Sequence, residues 1–391
     1  MRIILFEMRK IWNLKLLVII TVLCALFYYM FIDFNIKHFP NGHPSTEEVN
    51  LSIQMIEQFG LTIEEDEFSD FILNTREKLI SEAETYIKTM PIFTEAEIYT
   101  YKDYNKIHEK NNQSDLETKA LWTLLGEECA FVRFKLEALN NIEDNYYNYP
   151  NYIINNLIPK AINEKELDRL VEIRNSKEYR NIMSNLVYDN TSIYAVYLAI
   201  LTILAVLVLI SPLIVTDRTK NVHLLQYTTK QGRIILKKQF SATMLSAFLL
   251  TTAFILIFGI IYSTNDTWVF WNNGLTSFLN LTFLVNITYG QYIILYVTLL
   301  YVLCLSAAAL TFVFSRFSQN VITLIMKLIP LFAVFGVIAV SVLNGIFEPS
   351  NILYHWTGVL WIEPIVCGVL LVLGLTISLY FVRKETKIDI T

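Results

Sequence analysis

The sequence predicts an all-α membrane protein with six transmembrane helices, and three observations lead to this fold class. The chain of 391 residues is 54% hydrophobic and only 17% charged, whereas a soluble domain carries about 25% charged residues. Of the 36 acidic residues, 29 fall in residues 33–191. Outside that segment the chain contains six apolar runs of about the length that crosses a bilayer.

Residues 1–15 predict an amphipathic helix at the membrane surface. Apolar side chains recur at helical spacing, and basic and polar side chains occupy the opposite face. The alternative, that these residues simply extend the first span, stays open. The apolar face comprises Ile4, Leu5, Met8, Ile11 and Trp12, and the polar face Arg2, Glu7, Arg9, Lys10 and Asn13.

The six apolar runs define the transmembrane helices. The residues from 267 to 315 carry no charge and are too many for one helix across a core of about 30 Å. We expect their first part, 268–288, to be partly inserted in the membrane without crossing it. The predicted spans are 16–32, 192–215, 239–265, 290–314, 321–343 and 365–382.

Residues 33–191 predict a helical domain between the first and second spans. Pro91 and Pro150 interrupt the pattern, and the Asn-rich stretch 145–156 predicts a loop. We expect a fragment of residues 40–188 to be soluble and mostly helical by itself. Four sequences fit the capping box, in which Ser or Thr precedes Glu by three residues: Ser45 with Glu48, Thr62 with Glu65, Thr94 with Glu97, and Ser114 with Glu117.

The loop 216–238 fixes the predicted orientation. It holds six basic residues and one acid, Asp217, and basic loops beside apolar spans stay in the cytoplasm. Its middle, around Val222, Leu225 and Tyr227, predicts a short amphipathic helix. The predicted organisation is therefore 1–32, the surface helix with the first span; 33–191, extracellular; and 192–391, five further spans. Both termini are expected in the cytoplasm of this multi-pass cell-membrane protein.

Neither catalysis nor a metal site is predicted. The sequence has no G-x-S-x-G and no H-E-x-x-H motif, which would position a nucleophile or a zinc ion. The four cysteines are widely separated, at positions 24, 129, 304 and 367. We expect a protein that is not an enzyme and that holds no metal.

Six spans, an amphipathic N-terminal helix and a basic loop after the second span resemble permease subunits of the type-2 ABC exporter family. Within the loop, the resemblance is to an acid, a Leu-Leu pair, a Ser/Thr pair, a Gly-Arg step and a lysine that opens the third span. The large insertion is similar to that of Gram-positive members. The matching residues are Asp217, Leu224, Leu225, Thr228, Thr229, Gly232, Arg233 and either Lys237 or Lys238.

The resemblance implies a transport subunit that moves an amphipathic or hydrophobic substrate (a peptide, lipid or drug-like molecule) outward. The sequence has no G-x-x-x-x-G-K-[ST] motif, so ATP and Mg²⁺ would bind a separate ABC ATPase subunit, and this chain would hold no cofactor. The implied partners are that ATPase, a second permease chain, identical or related, and membrane lipids, but no nucleic acid. The implied ATPase-coupling residues are Asp217, Arg218, Lys220, Leu224, Leu225, Thr228, Arg233 and Lys237.

Two other function classes are alternatives to the exporter. A membrane sensor would bind a ligand through 33–191 and signal through the cytoplasmic loop, but it should carry an inner output domain. A membrane enzyme should show paired ionisable residues within its spans. The spans contain charged residues only near their ends, such as Lys327, which favours a transporter of apolar or amphipathic molecules.

The orientation is testable by cysteine labelling in intact cells. Single cysteines at positions 111, 221 and 391 are introduced into a chain whose native cysteines are replaced by serine. A membrane-impermeant maleimide should label position 111 only, because the 15 basic residues outside 33–191 all lie in the segments expected inside. Labelling of position 221 from outside would contradict the orientation.

Overall fold

The fold is all-α, as the sequence predicts. The computed structural model describes residues 2–220 and 232–385, except for the side chains of 232–234 and 385. About 80% of the chain is helical, and within the described residues the only β-pairings are two isolated bridges, Thr62 with Asn181 and Gly274 with Thr288. Among the residues that the structure describes, six helices are long and apolar enough to cross a membrane, as many as the sequence predicts.

The described α-helices are numbered here in chain order. The list is α1 (Arg2–Ile11), α2 (Leu14–Phe27), α3 (Asp33–Lys37), α4 (Ser45–Phe59), α5 (Glu65–Thr89), α6 (Pro91–Glu95), α7 (Tyr101–His108), α8 (Asp115–Leu125), α9 (Val132–Tyr152), α10 (Glu164–Ser176), α11 (Asn185–Ile210), α12 (Pro212–Thr219), α13 (Gly232–Tyr262), α14 (Tyr289–Arg316), α15 (Val321–Leu343), α16 (Ile352–Thr357) and α17 (Ile362–Glu385). A π-helical segment, Tyr28–Ile32, joins α2 to α3.

The chain divides into two compact units. Unit 1 comprises Met1–Lys37, Thr191–Asp266 and Gln291–Thr391, and unit 2 comprises His38–Asn190 and Thr267–Gly290. The candidate spans belong mainly to unit 1. Their bounds are Leu14–Lys37, Asn185–Thr219, Ile235–Asn265, Tyr289–Arg316, Val321–Leu343 and Ile362–Lys384.

Helix α11 is the central helix of unit 1. In the most apolar stretch of this span, 78% of the residues are buried, against 11% for the span that begins at Leu14. A helix that is apolar all round is the kind that is buried within a bundle or in lipid. The buried side chain of Thr202 in α11 has its hydrogen-bond partner on the helix backbone. Its hydroxyl donates to the Leu198 carbonyl at 2.6 Å.

Unit 2 is a helical domain with its own apolar core. Its two longest helices, α5 and α9, pack against each other, and the rings of Phe68 and Tyr146 stack with centroids 3.8 Å apart. Phe68 is completely buried. The helical character expected for 33–191 is therefore present.

Residues 267–290 belong to unit 2, and Phe278 lies in its core, which differs from the partly inserted segment expected at 268–288. Phe278 lies edge-on to Tyr146 at 5.0 Å and to Phe68 at 5.8 Å. Its backbone N–H donates to the Tyr179 carbonyl at 2.7 Å. Asn273 donates to the Ile182 carbonyl at 2.7 Å. Membrane insertion was predicted because an apolar run has the same composition whether it is buried by lipid or by a protein core.

The expectation that residues 40–188 fold independently stays a prediction, and the composition of the unit 2 core bears on it. Phe278 and Leu279 are 2% and 3% exposed and are part of one hydrophobic cluster with residues of α4 to α10. A fragment that ends at residue 188 lacks both side chains and would leave a cavity where Phe278 packs. The complete core therefore requires two separate stretches of the chain.

The capping-box predictions have mixed outcomes. The box at Ser114 and Glu117 is present, with the Ser114 N–H donating to the Glu117 carboxylate at 2.6 Å. The predicted box at Thr62 is displaced by two residues, since the Glu64 N–H donates to Glu67 at 3.0 Å. The other two are wrong: Ser45 follows an N-cap without a side-chain bond, and Thr94 lies inside α6. Pro91 opens that helix, a position at which its missing N–H costs nothing.

The prediction of a loop at 145–156 is also wrong. Helix α9 continues through Pro150 to Tyr152, and a π-helical segment, Ile153–Leu157, follows. Tyr146, Tyr149 and Ile153 are buried on one face at spacings of three and four residues. Burial of this face outweighs the weak helix propensity of asparagine and proline.

The position of Phe278 in the core of unit 2 can be tested by substitution. Phe278→Ala should lower the stability of unit 2 by about 3 kcal/mol, because it leaves an unfilled space beside two aromatic rings. Leu281→Ala is the control, since Leu281 is 45% exposed, and it should change stability by less than about 0.5 kcal/mol. Hydrogen exchange of α5 and α9 in the detergent-solubilised chain measures both. Equal exchange in the two variants would contradict this packing.

Candidate functional site

The candidate site lies where the 216–238 loop leaves the helical bundle. Pro212 is the first residue of α12, and its missing N–H separates this short helix from α11. The last turn of α12 carries Asp217 and Arg218, two adjacent charged residues with different partners. Asp217 is 8% exposed, so it needs partners inside the protein.

Asp217 forms a buried polar cluster with residues from two other helices. Lys10 of α1 donates to Asp217 Oδ2 at 3.2 Å, and Gln239 of α13 donates to the same oxygen at 2.9 Å. Both donors also reach Glu7, Lys10 at 3.0 Å and Gln239 at 3.1 Å. We call these four residues the Asp217 cluster. It joins α1, α12 and α13.

The Asp217 cluster places a net negative charge among buried residues. Two carboxylates and one ammonium give a formal charge of −1, and Glu7 and Gln239 are only 1% and 3% exposed. Burial by itself would lower the pKa of Lys10, but the bonds and charges of Glu7 and Asp217 outweigh it and raise the pKa above its ordinary value. Lys10 is therefore charged at neutral pH, and removing it would take its positive charge away from two buried carboxylates.

Helix α1 packs against the protein through the face that carries Glu7 and Ile11. Ile11 is 1% exposed, and the Trp12 indole N–H donates to the Ser246 hydroxyl at 3.1 Å. A helix is present at Arg2–Ile11, but Glu7 and Lys10, which the sequence assigned to its polar face, contact Asp217 and Gln239 within the protein. The reason is that α12 and α13 offer them polar partners.

Arg218 connects α12 to a different helix. Its guanidinium donates to the Ser318 carbonyl at 3.0 Å, just beyond the C-terminal end of α14, where a cation is favoured by the helix dipole. Nearby, the Ser315 hydroxyl donates to the Ser211 carbonyl at 2.7 Å. Through adjacent residues, the end of α12 thus contacts α1, α13 and the end of α14.

The predicted coupling residues have different outcomes. Asp217 and Arg218 lie in the site, Lys220 is exposed just after α12, and Lys237 is exposed on α13. The predicted amphipathic helix in the middle of the loop lies outside the described residues. So do Leu224, Leu225, Thr228 and the side chain of Arg233.

Sequence reasoning missed Glu7, Lys10 and Gln239 as members of the site. One signal was present: Glu7 is the only acid in residues 1–32, and Asp217 is the only acid in 192–265. An isolated acid beside an apolar span is costly unless it is paired. Which cation and which amide would pair with it could not be read from spacing.

Lys10 can be tested for its role in the cluster. Lys10→Met keeps the aliphatic stem but removes the Lys10 charge from Glu7 and Asp217. It should lower the free energy of unfolding by about 2 kcal/mol, below the range for fully buried pairs because Lys10 is half-buried. Lys15→Met is the matched control, since Lys15 is exposed. Unfolding in mixed detergent micelles measures both variants. Equal stabilities would show that the cluster contributes nothing.

Comparison with known proteins identifies no relative: no family model, no curated protein and no solved structure matches this chain. Among the described residues, no three His, Cys, Asp or Glu side chains are grouped so that they could hold a metal ion. The functional argument for the chain therefore depends on the geometry at the base of the 216–238 loop.

Proposed function

We propose that the chain is the permease subunit of an ATP-driven exporter of the type-2 ABC kind. In this proposal a separate ATPase subunit binds ATP and Mg²⁺ and docks on the 216–238 loop, and a second permease chain completes the pathway. The loop is cytoplasmic and 33–191 is extracellular. The observation that supports the proposal is the Asp217 cluster, together with the bond from Arg218 to Ser318.

These contacts make the base of the loop suitable for transmitting force. The chain leaves α12 after Thr219 and returns in α13, and the Asp217–Gln239 bond at 2.9 Å joins these two helices close to the loop. A push on the loop would therefore displace α12 and α13 together rather than unwind either end. Lys10 would carry the displacement to α1, and Arg218 would carry it to α14. Rigid displacement of packed helices is a recognised basis of switching between states.

The source of the force must lie outside the chain, since the sequence has no P-loop motif. The loop's excess of basic residues suits an acidic partner surface, and charges of this kind mainly accelerate association. Arg218, one of the implied coupling residues, donates to the Ser318 carbonyl within the chain. Lys220 and Lys237 are exposed, so they are better suited to contact a partner.

The proposed substrate class follows from the chemistry of the spans. Five of the six predicted spans carry no charged side chain. The remaining one, 321–343, contains a single charged residue, Lys327. Intramembrane charges are typical of ion- and proton-coupled transport. Their scarcity supports an amphipathic or hydrophobic substrate driven by ATP hydrolysis on the partner.

Docking on the loop is tested with a double substitution. Leu224→Ala with Leu225→Ala should leave the permease inserted but abolish co-purification of a candidate ATPase subunit, and with it ATP-driven export. Apolar anchors in a desolvated pocket commonly cost at least about 2 kcal/mol when truncated, which corresponds to roughly 30-fold in affinity.

The matched control replaces another adjacent apolar pair, Leu256→Ala with Ile257→Ala, which are 59% and 55% exposed on α13. This variant should retain both the ATPase and export. If the loop variant also retains both, the loop is not the coupling element. Ligand responses that require the loop but no ATPase would favour the sensor hypothesis.

A further inference from the structure

Helix α1 has a second, exposed face on the side away from Glu7 and Ile11. Leu5 and Phe6 are 61% and 63% exposed, although both are large and apolar. Arg2 and Arg9 are exposed as well. These four residues stand at positions i, i+3, i+4 and i+7, which lie along one side of a helix. We call them the Arg2–Arg9 stripe.

The surroundings of the stripe indicate what covers it. Helix α1 ends at Ile11, and the candidate span Leu14–Lys37 begins three residues later. A helix so close to a span lies at the boundary of the bilayer. There, apolar side chains enter the region between headgroups and acyl chains, while basic side chains contact anionic headgroups.

A second copy of the chain fits the stripe less well than lipid does. Two-fold contacts bring the same patch of each copy together, so Arg2 and Arg9 of one copy would face the same two arginines of the other. Like charges at a contact are unfavourable. Anionic phospholipid instead supplies both the negative charge for the arginines and an apolar layer for Leu5 and Phe6.

We propose that the Arg2–Arg9 stripe binds anionic phospholipid and that this contact stabilises the Asp217 cluster, so that membrane composition regulates the 216–238 loop. The stripe and the Asp217 cluster are close together on α1. Glu7 follows Phe6 directly, and the Lys10 ammonium lies 5.9 Å from the centre of the Phe6 ring. Lipid that holds α1 in place keeps Lys10 on Asp217 and Glu7 on Gln239. The consequence for transport depends on the proposed function, but the lipid contact does not.

Hydrogen exchange of the full chain in lipid vesicles tests this proposal without ATPase or nucleotide. The vesicles contain phosphatidylcholine alone or phosphatidylcholine with about one third phosphatidylglycerol. Each basic side chain near an anionic surface contributes about 1 kcal/mol, so amide exchange in α1 should slow by roughly tenfold or more in the anionic vesicles. Exchange in α12 should slow in the same direction, because Asp217 is held by α1. Arg2→Gln with Arg9→Gln should abolish both effects.

The control removes two basic residues at the end of another span, Arg383→Gln with Lys384→Gln in α17, and should leave the lipid effect intact. Equal exchange of α1 in both vesicles, or equal loss of the effect in the control, overturns the lipid contact. Slowing in α1 without slowing in α12 overturns its link to the loop. Protection of α1 that disappears on tenfold dilution of protein in lipid would assign the stripe to a second copy. A chain that passes these tests but exports nothing would contradict only the proposed function.

Discussion

The arrangement of unit 1 around the 216–238 loop depends on the burial of two carboxylates, Glu7 and Asp217. A buried carboxylate is tolerated only with donors of good geometry, and these two share the same pair, Lys10 and Gln239. Because the four residues come from α1, α12 and α13, the requirement brings three helices together at one place. Such a cluster is weak evidence for high stability, and we propose that its role is to hold the three helices in one relative position.

Apolar length and charge distribution were enough to predict the all-α class and six spans, because both follow from transfer of side chains between water and lipid. The same reasoning failed at residues 267–290, where Phe278 is buried by Phe68 and Tyr146 rather than by lipid. It also failed at 145–156, where burial of Tyr146 and Tyr149 maintains a helix through Pro150. In both places the deciding partner is distant in sequence, so local composition could not reveal it.

Only part of the candidate site was predicted, because here too the deciding partners are distant in sequence. The resemblance of the loop to the exporter family implied Asp217 and Arg218 as ATPase-coupling residues, but Asp217 bonds to Lys10 and Gln239 within the chain. Residues 10 and 217 are separated by 207 positions, and nothing in one sequence relates them. The two faces of α1 show the same limit: periodicity predicted an amphipathic helix, but not that Glu7 would lie on the buried face while Leu5 and Phe6 remain exposed.

The most direct test of the account is a double-mutant cycle between Lys10 and Asp217, measured as the free energy of unfolding of the full chain in mixed micelles. If Lys10 neutralises Asp217 in the folded protein, Lys10→Met should cost at least about 1 kcal/mol less in an Asp217→Asn background than in the native chain, since contacting residues couple by this amount. The Asp217→Asn change retains the shape of the side chain and leaves Lys10 balanced by Glu7. The same cost for Lys10→Met in both backgrounds would contradict a cluster that links α1 to the base of the loop.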